Sequence, residues 1–76
     1  MLNVRGFRKQ ILEMESGQRF YLNAINVSVS IIEQLREYIK CGVIEPVRQE
    51  VEVYYKDVEA VMNGDTILPQ MEYIKK

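Results

Sequence analysis

Val4, Phe7, Ile11 and Met14 recur at a 3-4-3 spacing, with Arg8, Lys9, Gln10 and Glu13 between them. That spacing lines the apolar side chains along one face of a helix. Ser16-Gly17 is a fitting stop, because glycine takes the left-handed conformation that ends helices. A hairpin fits the same region, with Gln10–Met14 and Arg19–Leu22 as strands about a Glu15-Ser16-Gly17-Gln18 turn. Residues 8–22 stay open between these two readings.

Phe20–Val27 is a short apolar segment holding two asparagines. Ser30 and Glu33 then have the spacing of a capping box, in which the serine takes a free amide and the glutamate reaches back. Ile32, Leu35 and Ile39 supply the buried stripe of a helix that ends at Cys41, with Gly42 as its stop. Val43-Ile44 begins a strand, and Pro46 bars a helical restart at that point. Val51, Val53 and Tyr55 alternate with Glu52 and Tyr54, the period of a strand with one dry face. Lys56–Met62 predicts a short helix closed by Asn63-Gly64, with Asp57 near its start, where a negative charge suits the helix dipole. The tail Ile67–Ile74 is apolar enough to pack on the body.

These elements make a single small α+β domain over residues 1–76, mostly helical. With 76 residues, 47% hydrophobic and 28% charged, the chain has an ordinary globular composition. A core this small invites completion by a second copy in a homodimer, or by a partner. The longest uncharged stretch, Phe20–Ile32, is broken by Asn23, Asn26, Ser28 and Ser30, which argues against a membrane span. Met1–Gly6 lacks the apolar run of a signal peptide, and one cysteine fits a reducing cytoplasm.

Chemistry is narrowed further by what the chain lacks. There is no histidine and one cysteine, so no spacing joins a nucleophile to a base, and the expectation is a non-enzymatic protein. One thiol without imidazole does not build a usual zinc site, and no cofactor or metal is expected. Net charge is −1, with a sequence pI of about 5.4. Its distribution is uneven: Arg5, Arg8, Lys9 and Arg19 outnumber Glu13 and Glu15 at the front. Glu45, Glu50, Glu52, Asp57 and Glu59 outnumber Arg48 and Lys56 further on.

Residues 35–48 carry the most specific pattern. Leu35, Arg36, Tyr38, Gly42, Ile44, Pro46 and Arg48 resemble, without gaps, the helix-to-wing segment of MerR-type and excisionase-like winged helix-turn-helix proteins. Ala24, Val27, Val29 and Ser30 fall near the pattern of the helix-turn-helix itself, with Ser28 where its turn glycine is usual. The stretch Gly42–Pro46 is also similar to the CbpM-type chaperone modulators, which share that fold. Together the likeness spans about residues 20–61.

The resemblance implies a small winged helix-turn-helix domain with a two-stranded wing and a recognition helix at about 31–41. In the MerR-type family the residues matching Arg36, Tyr38 and Arg48 touch the DNA backbone. Ser30 and Gln34 are then placed to read base edges of double-stranded DNA, with Lys40 adding charge on the same general surface. The wing departs from that family, since Glu50 and Glu52 would repel phosphate. The chaperone modulators imply the alternative: a protein-interaction module, modulator-like or of the phage inhibitor type. It would use Glu50, Glu52 and Tyr54 of an acidic wing to dock a basic protein. Bacterial or phage regulation is the setting both families suggest.

Plainer readings stand beside these. Glu33, Arg36, Glu37 and Lys40 have the spacing of intrahelical ion pairs. Tyr38 fits equally well as a core side chain between helix and wing.

Overall fold

In the computed structural model, which describes residues 3–76, four helices pack with a three-stranded antiparallel sheet. The first two residues of the Met1–Gly6 stretch lie outside the described residues. About half the chain is helical, so the α+β expectation is borne out.

Helix α1 runs Val4–Glu13, and Asn3 caps it by accepting from the Gly6 amide at 2.7 Å. Phe7 and Ile11 of the apolar stripe are buried, which decides for a helix over 8–13. The hairpin reading keeps only its second arm: Arg19–Asn23 forms β1, paired with the distant C-terminus instead of residues 10–14. A single 3-10 turn, Ala24–Asn26, follows. No α-helix forms over 20–27 to precede the main helix, as a helix-turn-helix would require.

Helix α2 spans Val29–Lys40. Its cap is Ser28, two residues before the expected Ser30: the Ser28 hydroxyl accepts from the Ile31 amide at 3.4 Å. The buried face is Ile31, Gln34, Leu35 and Ile39, with Ile32 only half-buried. At the far end Gly42 takes φ +77°. Its amide donates to Ile39, and the Val43 amide to Tyr38, at 3.2 and 2.9 Å. These two bonds close the helix as a Schellman motif and turn the chain into a strand.

That strand, β2 (Ile44–Pro46), pairs with β3 (Gln70–Lys75), which also pairs with β1. The order is therefore β1-β3-β2, with the last strand in the centre. Val47 donates to Glu72 and Lys76 to Val43. This alternation points the position of Pro46's missing N–H away from β3, the one place an edge strand tolerates proline. Met71 and Tyr73 of β3 are buried against the helices. Tyr73 stacks on Phe20 with centroids 5.4 Å apart, and Phe7 meets both Phe20 and Tyr38 at 6.4 Å. Burial also holds the Tyr73 phenol well above its usual 10.0.

The expected wing is corrected here. Arg48–Tyr54 is helix α3, not a strand. Val51 is fully buried while Val53 is 72% exposed, so the period-2 alternation was coincidental. The operative pair is Val47 and Val51, four apart and both buried. β2 needs no hairpin return, because β3 already supplies its neighbour. Helix α4, Val58–Met62, begins at Asp57, whose carboxylate accepts from the Ala60 amide at 3.2 Å. It ends at Asn63-Gly64 as expected, with Gly64 at φ +87°.

Candidate functional site

The residues expected to meet DNA are dispersed. Each step along a helix turns about 100°, so Val29, Glu33, Arg36, Glu37 and Lys40 form the outward face of α2, all of them exposed. This face carries two carboxylates beside its two cations. Ser30 is exposed at its margin. Gln34, expected to be free to read a base, is instead 8% exposed. Its Oε1 accepts from Nε of Arg8 at 2.6 Å, which ties α1 to α2. Burial overturns that expectation. Tyr38 is half-buried and stacked on Phe7, so its ring belongs to the core.

Lys40 and Arg48 also have partners, though not along α2. Nζ of Lys40 lies 2.9 Å from Oδ1 of Asp65, in the loop after α4. The Lys40 hydrogen bond, then its charge, hold the Asp65 carboxyl below its usual 3.8. Arg48 lies 3.3 Å from Glu59 and 3.9 Å from Glu52. No ion pair joins Glu33 or Glu37 to Arg36 or Lys40 among the described residues, so the intrahelical pairing expected there is absent. Of the four cationic or aromatic contacts expected, Arg36 alone is both exposed and outside any ion pair among the described residues.

A different surface gathers the unsatisfied chemistry. The outer face of the sheet is not covered by α1 or α2. There, Tyr21 on β1 stands opposite Glu72 on β3. Between this pair and α3 lies an open groove of about 600 Å³. Tyr21, Tyr54 and Tyr55 line it, with Leu68, Pro69 and Met71 as apolar lining and Gln70, Glu50 and Glu72 as polar groups. No lysine or arginine is among these residues. Tyr54 is 80% and Tyr21 61% exposed, large apolar areas for a chain of this size. The Tyr21 hydroxyl donates to Oε1 of Gln70 at 2.8 Å, fixing its ring. Glu72 faces Arg19 at 3.5 Å.

Glu50 has no such partner. Its Oε2 is shielded from solvent and accepts no hydrogen bond from the described residues. A carboxylate oxygen in that state is costly unless a cation or donor meets it. Glu50 and Tyr54 sit one helical turn apart on α3, so both reach the groove. Glu52 turns away and pairs with Arg48. Two of the three residues expected for partner binding thus come together, on a helix rather than a wing. Tyr21, Leu68, Gln70, Met71 and Glu72 were missed. The alternation of Gln70, Glu72 and Ile74 with Met71 and Tyr73 was the available signal for a two-faced strand.

No group of three potential ligands for a metal occurs among the described residues, and none of their helices is long and apolar enough to cross a membrane. Compared with protein-family models, with curated proteins and with solved structures, the chain matches none of them.

Proposed function

We propose that the chain is a non-enzymatic protein-interaction domain that docks a basic partner protein on the face between α3 and the start of β3. The observation carrying this reading is an open groove walled by tyrosines and lined by Glu50 and Glu72, with no lysine or arginine in its lining. Exposed tyrosines provide rigid amphipathic contact area at low entropic cost, as in many recognition surfaces. A cytoplasmic setting belongs to the same proposal, in keeping with the free, exposed thiol of Cys41.

DNA binding is the second reading, supported by Arg36, which is exposed and in no ion pair among the described residues. It has less support, because Lys40 and Arg48 face carboxylates of their own chain and Gln34 is buried.

Two parallel measurements test the pair. The immobilised chain is incubated with lysate of its source cell, and bound proteins are identified by mass spectrometry. The interaction reading expects one basic protein, retained by Glu33→Lys and lost with Glu50→Lys combined with Tyr54→Ala. Enrichment indifferent to the double change, or no enrichment, sinks it. The purified chain is also titrated into labelled duplex DNA at low and moderate salt. Micromolar, salt-sensitive binding weakened by Arg36→Ala favours the second reading instead.

A further inference from the structure

We infer that the groove between α3 and β3 receives an arginine side chain of the partner. This rests on the interaction reading and names the group that enters. Three features of the groove converge on a guanidinium. First, the half-buried Glu50 lines the groove and is in no ion pair among the described residues, while no lysine or arginine lines it. A carboxylate so placed is complemented by a cation from outside, through a charge-assisted hydrogen bond.

Second, Tyr21, Tyr54 and Tyr55 line the groove from two different elements. A planar guanidinium stacks on aromatic faces and is less strongly hydrated than an ammonium, so it gains more from such walls than a lysine does. Third, Leu68 and Pro69 supply apolar surface along which three methylenes can lie while the charged head reaches Glu50. The neighbouring acids do not compete for the incoming cation. Glu72 faces Arg19 and Glu52 faces Arg48 within their own chain. Gln70 Oε1 has a second lone pair beyond the one accepting from Tyr21.

The test is an NMR titration of the isotope-labelled full chain with three probes: N-acetyl-arginine methylamide and its lysine and citrulline counterparts. Arginine is expected to cause saturable shifts at the amides of Tyr21, Glu50, Tyr54 and Gln70. Lysine should bind several-fold more weakly, and citrulline, isosteric but uncharged, should cause no saturable shift. Glu50→Gln should weaken arginine binding about tenfold, as for loss of one charge-assisted hydrogen bond. The same spectra show whether that variant keeps the fold. Tyr54→Ala, at an exposed position, serves if it does not.

Arginine shifts that map elsewhere, that lysine or citrulline reproduces equally, or that fail to saturate overturn the inference. A partner captured from lysate in a Glu50-dependent way, without arginine binding in the groove, overturns this inference and leaves the interaction reading standing. Failure of the capture experiment overturns both.

Discussion

The outward face of α2 and the groove beside α3 are both exposed and both charged, yet they differ in what their charges already touch. Lys40 and Arg48 lie against Asp65, Glu52 and Glu59, contacts that bind α2 to the loop after α4 and α3 to α4. Glu33, Arg36 and Glu37 on the face of α2 are in no ion pair among the described residues, but they are exposed to water. Glu50 is half-buried beside tyrosines and is also in no ion pair among the described residues. A count of charged residues ranks the first surface higher. Surroundings reverse the ranking, because a charge already paired or fully solvated gains less from a ligand than one half-buried beside apolar surface.

Both surfaces hang from β3, so the first way to break the comparison is to remove its centre. Tyr73 is 1% exposed and stacks on Phe20 in the middle strand. Truncating a buried aromatic costs about 3–5 kcal/mol, a large share of the stability of so short a chain. Tyr73→Ala should abolish cooperative urea unfolding monitored by circular dichroism, and both surfaces should be lost together. A variant that keeps a full transition would show that the central strand is not what holds them.

A smaller change separates the two. Gly64 has φ +87°, and a Cβ there would meet the Arg36 carbonyl and Ile39 at 3.3 Å. Gly42 has a similar φ with open space around it. The left-handed conformation costs a non-glycine residue about 1–2 kcal/mol at either site, and crowding adds to that only at Gly64. Gly64→Ala should therefore lower the urea midpoint more than Gly42→Ala does. It should also disturb the Lys40–Asp65 contact while leaving the groove amides unshifted. Equal effects from the two substitutions would mean that the turn at Gly64 does not lie close against α2.

How far these regions were legible in the sequence follows from the range of the interactions that make them. The C-terminal end of α2, the start of β2 and α4 are legible, because periodicity, a capping residue or a glycine stop decides each within a few residues. Over 8–22 the sequence leaves helix and hairpin open, and burial of Phe7 and Ile11 decides for α1. The wing failed because Glu50–Tyr55 fits both periods, and what selects the helix is burial of Val47 with Val51 under a sheet built from residues 70–75. The same long-range pairing places Tyr21, Glu72 and Met71 beside α3, so most of the groove had no local trace. Glu50 and Tyr54 were singled out correctly for the wrong element. Gln34 was misplaced because a polar residue within an apolar stripe does not announce that Arg8, 26 positions away, will satisfy it.

Alkaline pH tests the shared core without altering its shape. Burial raises the Tyr73 phenol above its usual 10.0. Above pH 10 the unfolded chain therefore releases this proton while the folded chain keeps it, and stability falls as pH rises. The slope from one such group is at most about 1.4 kcal/mol per pH unit. Tyr73→Phe should flatten the decline of thermal midpoint between pH 10 and pH 11.5. An unchanged decline would assign it to other groups.

Within the groove, Glu50→Gln should leave the free chain as stable as before or raise its stability by up to about 1 kcal/mol. It replaces a carboxyl of which one oxygen is shielded and accepts no hydrogen bond from the described residues. This is opposite in sign to what deleting a partnered charge does. A loss of more than about 1 kcal/mol in urea titration would show that Glu50 supports the fold, and would weaken its claim to be held for a ligand.

The smallest effect belongs to the Lys40–Asp65 contact, and it sharpens the contrast by its sign. Lys40 lowers the Asp65 carboxyl below 3.8 through its hydrogen bond and then its charge. A carboxyl depressed in the folded state stabilises above its unfolded value, and that stabilisation is lost as pH falls through 3.8 toward the folded value. Both side chains are at least half exposed, so salt screens the charge component, and the whole contribution is modest. Asp65→Asn should reduce the fall in thermal midpoint between pH 4.5 and pH 2.5 at low salt, and 1 M NaCl should do much the same to the unaltered chain. A fall in midpoint that neither treatment reduces would mean that Lys40 does not answer the Asp65 charge within the chain.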